Sequence, residues 1–148
     1  MREIEAGIET LRELAAGIHP AVLADFGLAA ALDALATGAP LPISLHVDEL
    51  RLPPALESSI YFFCSEALTN VVKHASARSA SVRVTTSGSE LTIEVRDDGV
   101  GGAQIGIGGT GLVGLGDRIG ALDGSLSLSS PRGGEGTTLL ARIPLPGL

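Results

Sequence analysis

Glu66, Asn70 and Lys73 stand at i, i+4 and i+7 in a stretch with helical apolar spacing. On an α-helix those positions are neighbours, so a carboxylate, an amide and an ammonium would project from one face. Carboxylate and amide oxygens suit Mg²⁺, a hard cation that keeps several of its waters. An ammonium suits phosphate. The plain alternative is a solvated helix face. Elsewhere on the same helix, Ile60, Cys64, Ala67 and Val71 form an apolar stripe flanked by Phe63 and Leu68, which predicts a buried side.

Two glycine-rich stretches follow: Asp97-Asp98-Gly99-Val100-Gly101 and Gly109-Thr110-Gly111-Leu112-Val113-Gly114. Each alone is weak. Asp-Asp-Gly is an ordinary turn. The second stretch also fits the dinucleotide-binding fingerprint, but that needs an acidic residue about 20 positions on. Ser129, Ser130 and Pro131 occupy that region. A Gly-x-x-x-x-Gly-Lys-Ser/Thr phosphate loop does not occur. His19, His46 and His74 lack metal-ligand spacing, and His46 reads as a structural strand residue. Glu57 and Asp117 read as solvated helix charges.

The elements that must position these residues come next. The chain has 148 residues, enough for one domain with a real core, and aromatics are only 3%, so that core must be aliphatic. No apolar run reaches the roughly 18–20 residues of a membrane span, and no signal peptide is visible. The single cysteine, Cys64, lies on the apolar stripe and reads as a small core residue. One cysteine excludes internal disulfides and fits a cytoplasmic setting. A net charge of −7 argues against nucleic acid as a partner. An anionic ligand would have to be held by backbone N–H groups, a helix N-terminus and a metal ion.

Residues 2–16 are amphipathic, Pro20 disfavours a helical His19, and a helix is expected from Val22 to Ala36 with a break near Gly27. Gly38-Ala39-Pro40-Leu41-Pro42 is the clearest linker and divides residues 1–38 from 39–148. Ile43 to Val47 alternates as a strand, and Pro53-Pro54 opens the long helix. Ser81 to Thr85 and Leu91 to Arg96 flank a Ser-Gly-Ser turn and predict a hairpin. Fourteen of the 20 glycines fall between Gly99 and Gly136, which makes the stretch from Gly99 to Gly111 a flexible loop. A shorter helix runs from Leu112 to Leu122, ended by Asp123-Gly124, and two more strands follow. The expected fold is a two-layer α/β sandwich, with a mixed, mostly antiparallel sheet and helices on one face.

Taken in order, Glu66 with Asn70, Asp97-x-Gly99-x-Gly101, Gly109-x-Gly111-x-x-Gly114 and Gly136-Thr137 resemble the Bergerat ATP-binding fold. That fold is shared by gyrase, histidine kinases, mismatch-repair ATPases and heat-shock chaperones. Asn70-Val71-Val72-Lys73-His74-Ala75 is similar to the asparagine box of sensor histidine kinases in two-component systems. The segment from Leu14 to Leu32, with Pro20 and Gly27-Leu28, resembles the branch whose response regulators carry a helix-turn-helix output domain.

The resemblance implies ATP and Mg²⁺ as cofactors and gives each motif a role. Asn70 would ligate Mg²⁺, with Glu66 assisting, orienting water or acting as a base. Lys73, with His74 beside it, would face the phosphates. Asp97 would accept a hydrogen bond from the adenine amine. Gly99 and Gly101 would let backbone pass close to the base. Gly109, Gly111 and Leu112 would open a helix toward the phosphates, Thr137 would line the adenine pocket, and the loop over 98–111 would act as a lid. The implied reaction moves the γ-phosphoryl group of ATP to a histidine, for onward transfer to a response regulator.

One feature departs from the family pattern. The acceptor histidine of this branch is followed by Asp or Glu on the first helix of a dimerisation hairpin, whereas His19 is followed by Pro20. Residues 2–16 resemble only the tail of the second hairpin helix. The expectation is therefore an incomplete, monomeric kinase fragment of a homodimeric parent that can be membrane-anchored. An anti-sigma-factor-type serine kinase and a non-catalytic nucleotide-binding regulatory module are the alternatives.

Overall fold

The computed structural model describes residues 19–48, 51–75, 77–99, 111–129 and 136–145. Helices α1 (His19–Phe26) and α2 (Leu28–Thr37) meet at Gly27, whose φ of 89° is a backbone state that favours glycine. The break therefore falls where the sequence places it. The start differs: α1 already includes His19, because Pro20 sits in the first turn, where its missing N–H costs nothing. The amphipathic segment over 2–16 lies outside the described residues.

Strand β1 (Ile43–Val47) leads to the long helix α3 (Pro54–Asn70), which continues into a π-turn over Val71–Ala75. Strands β2 (Ala80–Ser87) and β3 (Glu90–Asp97) form the hairpin. Ser87 pairs with Glu90, so the loop is Gly88-Ser89, and Gly88 at φ 60° supplies the turn that matches the strand twist. Helix α4 (Gly111–Gly120), β4 (Ser125–Ser129) and β5 (Thr137–Pro144) complete the described chain. The five strands are ordered β1-β2-β3-β5-β4, with β1 parallel to β2 and the other pairs antiparallel. This is the mixed, mostly antiparallel α/β sandwich that the alternating patterns predict.

Strand periodicity explains the core. Val82, Val84, Leu91, Ile93, Val95, Leu139, Ala141 and Ile143 all face inward and are buried. Against them lie Leu32 and Leu35 of α2, Ile60, Phe63 and Leu68 of α3, and Leu115 and Ile119 of α4, in one cluster. Helix α2 thus shares its core with the sheet, although Gly38 ends it as the linker reading expects. Cys64 is buried, and the apolar surroundings push its thiol up to about 12, which suits a packing role.

After α4 the Gly124 N–H donates to the Ile119 carbonyl and the Asp123 N–H to the Gly120 carbonyl, both at 3.0 Å. With Asp123 at φ 60°, this is a Schellman-type stop. A Cβ on Gly124 would approach the Arg142 carbonyl oxygen to 2.5 Å, so the residue also sets how closely the turn meets β5.

Glu57 is a correction to the sequence reading. Its side chain is 2% exposed, while its partner Arg51 is 63% exposed. Helical spacing places Glu57 next to the buried Ile60 and Tyr61, so the carboxylate enters the core and reaches back past the helix start. It accepts from the Leu52 N–H and from Arg51 Nη2, each at 3.4 Å. Pro53, at the cap position, has neither an N–H nor a capping side chain to serve this end. Removing the carboxylate would leave the Leu52 N–H buried and unpaired. Glu57→Ala is expected to cost about 1–3 kcal/mol. A urea midpoint unchanged from wild type would show that Glu57 behaves as the surface charge it resembles in sequence.

Candidate functional site

The topology gathers one end of the sheet. Helix α3 ends at Asn70, and a short connection brings the chain to Ala80 at the start of β2. Ala80 pairs with Asp97 at the end of β3, and Asp97 pairs with Thr137 at the start of β5. Helix α4 returns to Ser125, at the far end of the sheet, so its N-terminus at Gly111 belongs to the same end as Asp97. Central strand order thus places Asp97 between two neighbours, with a helix C-terminus and a helix N-terminus nearby in the fold.

Asp97 is half-buried. Its Oδ1 accepts the Gly99 N–H at 2.8 Å, and the Thr137 backbone also hydrogen-bonds the carboxylate. Burial nevertheless raises its pKa above the ordinary aspartate value; the two backbone bonds oppose that, and the neighbouring Asp98 charge adds to it. The donors in the fold do not fully compensate the charge. Gly136 explains why β5 can begin so close: its φ is 82°, and a Cβ there would run into the Asp97 carbonyl oxygen. Glycine is the residue type that meets both conditions.

Asp98 behaves in the opposite way. It is exposed and accepts the Arg78 N–H at 2.8 Å, the Ser79 N–H at 3.0 Å and the Ser79 hydroxyl at 3.0 Å. Those bonds, the backbone ones foremost, hold its carboxyl below the ordinary value. Asp98 therefore ties the segment before β2 to the end of β3. Sequence reasoning passes over it, because these donors lie about twenty residues earlier and two of the three are backbone N–H groups.

Asn70 is the last residue of α3, one turn beyond Glu66. Glu66 is exposed, and Asn70 Nδ2 is buried with no hydrogen-bond partner among the described residues. An orphaned buried amide is unusual and fits a site completed by a ligand. Which end of the amide faces the ligand is interchangeable, so its oxygen is available as a hard donor. With the Glu66 carboxylate it makes a donor set suited to Mg²⁺, which takes one or two protein oxygens alongside substrate phosphates. No group of three or more His, Cys, Asp or Glu that could hold a metal occurs among the described residues.

Beyond Asn70 the sequence reading changes. The π-turn closes i→i+5 bonds, so α-helical spacing no longer fixes the direction of Lys73 relative to Asn70. Lys73 is exposed. His74 lies in the same π-turn, and Gly111 and Leu112 form the first turn of α4. Gly99 is buried beside Asp97, and Thr137 faces Asp97 across the β3–β5 pair. Gly101, Gly109 and most of the expected lid lie outside the described residues. Arg118 of α4 lies over the Phe62 ring of α3, 5.4 Å from its centroid, and fastens the two helices that frame the site.

Comparison with known proteins agrees with this fold. The family model for histidine kinase-, DNA gyrase B- and HSP90-like ATPases matches residues 55–147. The sensor histidine kinase NarS of Mycobacterium tuberculosis is 31% identical over 153 residues, which cover 96% of this chain and 35% of NarS. The histidine kinase domain of the blue-light activated histidine kinase EL346 from Erythrobacter litoralis superposes with a TM-score of 0.66 at 30% identity, covering 80% of this chain and 65% of that one. The ATP binding domain of PrrB from Mycobacterium tuberculosis gives 0.55 at 25% identity, covering 72% and 82%. The chain spans 28% to 35% of the length of the curated relatives it matches.

The raised pKa of Asp97 has a stability consequence. A carboxyl that titrates higher in the fold than in the unfolded chain contributes stability at low pH and loses it as pH rises through the folded value. At neutral pH the ligand-free fold carries this unfavourable charge. Asp97→Asn is therefore expected to raise the melting temperature at pH 7, with the gain shrinking as the pH is lowered through the carboxylate range. Thermal melts across pH test this, and a lower melting temperature for Asp97→Asn at pH 7 would contradict it.

Proposed function

We propose a phosphoryl-transfer role from one premise: this chain belongs to the histidine kinase-, DNA gyrase B- and HSP90-like ATPase family. It acts as the ATP-binding catalytic domain of a sensor histidine kinase. It transfers the γ-phosphoryl group of ATP to a histidine on a dimerisation hairpin, for onward transfer to a response regulator. The reading rests on one juxtaposition, the under-compensated Asp97 carboxylate and the orphaned Asn70 amide at the same end of the sheet. Residues 1–38 are read as the end of that hairpin with its connecting helix, and 39–148 as the catalytic domain.

Asp97 selects the base. A half-buried carboxylate short of donors gains most from a ligand N–H, and the exocyclic amine of adenine is one. Guanine presents a carbonyl oxygen at the equivalent place and would meet the charge unfavourably. Thr137 and Gly99 wall the base beside Asp97 and, with Gly101, let the backbone approach it. At the other end of the nucleotide, Asn70 and Glu66 hold Mg²⁺, which neutralises phosphate charge when bound. The N–H groups opening α4 at Gly111 and Leu112, after Gly109, face the phosphates, aided by the macrodipole. Lys73, with His74 beside it, adds positive charge there. Glu66 is also placed to orient a water or receive a proton. Phosphoryl transfer asks little covalent chemistry of the protein and depends on such positioning.

Nucleotide titrations test these roles. Asp97→Asn is expected to weaken ATP binding by roughly tenfold or more, since hydrogen bonds to charged groups contribute about 1.5–3 kcal/mol. ATP affinity should also fall as the pH drops through the raised Asp97 value, because protonation removes the acceptor. Equal ATP affinity in both proteins would remove Asp97 from the site. Asn70→Ala should keep the fold and lose the Mg²⁺ dependence of binding; surviving dependence would count against the Asn70 assignment.

Histidine labelling tests the reaction. Neither His46 on β1 nor His19 at the start of α1 is followed by an acidic residue, and His74 belongs to the site itself. Incubation with labelled ATP should leave the isolated chain unlabelled. A hairpin bearing a His-Asp or His-Glu acceptor, added in trans, should become labelled. Acid-labile label on the isolated chain, abolished by His19→Ala, would instead make His19 the acceptor.

A further inference from the structure

Thr69 is buried and stands one residue before Asn70, near the end of α3. On general grounds it is a poor choice there. Threonine is a weaker helix former than alanine or leucine, and a buried hydroxyl costs free energy unless it is bonded. The hydroxyl donates to the Ser65 carbonyl at 2.8 Å, and Ser65 is itself buried. That carbonyl is also the acceptor that α-helical geometry assigns to the Thr69 N–H. A second donor on one helix carbonyl bends the helix.

The hydrogen-bond ladder changes at the same place. The Val71 N–H is shared between the Ala67 and Leu68 carbonyls, and the wide i→i+5 turn then runs from Val71 to Ala75. Val71 and Val72 are buried, so the far side of this junction is anchored in the core. Asn70 lies between the hydroxyl bond and the anchored turn, and its Nδ2 is buried without a partner among the described residues.

We propose that the Thr69 hydroxyl, through its bond to the Ser65 carbonyl, sets the junction between α-helix and π-turn and so positions the Asn70 amide for Mg²⁺. The inference rests on the reading of Asn70 as a metal ligand. The bend tips the last turn of α3, and Asn70 with it, while the core-bound valines hold the turn that follows. Asn70 is therefore presented from a backbone fixed on both sides rather than from a fraying helix end. A ligand group fixed in advance spends less of its binding free energy on ordering. Thr69 commits its hydroxyl to Ser65, so it is a positioning residue and not a ligand.

The test compares Thr69→Val, which lacks the hydroxyl, with Thr69→Ser, which keeps it. Valine matches threonine in shape and the Ser65 carbonyl keeps its main-chain donor, so Thr69→Val should fold. ATP is titrated in excess Mg²⁺ and again in EDTA. Thr69→Val is expected to weaken Mg²⁺-dependent binding by about tenfold, the usual scale for groups that orient metal ligands, with affinity in EDTA unchanged. Thr69→Ser should bind as wild type does. Without any ligand, the backbone carbon chemical shifts of Val71 to Ala75 should move in Thr69→Val and stay in place in Thr69→Ser. Unchanged Mg²⁺ dependence in Thr69→Val, where Asn70→Ala has lost it, would overturn this inference and leave the ATP reading standing. Equal losses in Thr69→Val and Thr69→Ser would also overturn it, since packing of the methyl group and not the hydroxyl bond would then hold the junction. Mg²⁺ dependence that survives Asn70→Ala would overturn the metal-ligand reading beneath it.

Discussion

The close approach of β5 to the end of β3 is the constraint on which the rest of the structure depends. Asp97 ends the central strand, and Gly136 lets the neighbouring backbone lie against its carbonyl. That contact fixes Thr137 opposite Asp97 and aligns the β3–β5 register out to Pro144. With the register set, Leu139, Ala141 and Ile143 point inward onto the helices, and Arg142 points outward. A slip of one residue would exchange those faces. One glycine thereby links the core, the partly buried carboxylate and the polar outer surface.

The two framing helices answer a related demand. A ligand site at the end of a sheet needs groups that converge from different elements without filling the space between them. In the proposed nucleotide site, helix α3 supplies Asn70 from its C-terminus and α4 offers its N-terminus at Gly111, before the Schellman stop at Asp123 turns the chain into β4. Arg118 over Phe62 holds them together at their flanks rather than at the site. The π-turn after Asn70 fits the same logic. Such a turn is less favourable than continued α-helix and is common at functional positions, where it redirects side chains.

Much of this was legible in the sequence, because periodicity reports burial. The strands, the break at Gly27, the hairpin turn and the end of α4 all follow from local patterns that agree with the fold. Asp97 and Asn70 stood out because their types and spacing matched a known arrangement. What was not legible depends on distance along the chain. Glu57 looks like any first-turn glutamate until Leu52 and Arg51 fold back onto it. Asp98 looks like a turn residue until Arg78 and Ser79 arrive across the hairpin. The direction of Lys73 follows from the sequence only if α-helical spacing continues past Asn70, and a π-turn leaves no mark in hydrophobic periodicity.

Asp97 and Asp98 show how adjacent, chemically identical residues acquire different tasks. Asp98 is exposed, so its charge costs little desolvation, and three donors from Arg78 and Ser79 lower its pKa. It is a tether whose interactions are complete within the fold. Asp97 faces the other way along the strand, is partly buried, and receives too few donors to offset that burial. The fold therefore holds it in a state that a further donor would relieve. Alternation along β3 creates the difference: one residue turns into the sandwich and its neighbour turns out. Opposed pKa shifts in neighbouring carboxylates separate a group whose interactions are complete within the fold from one that a further donor would relieve, and here the environment, not the residue type, makes the difference.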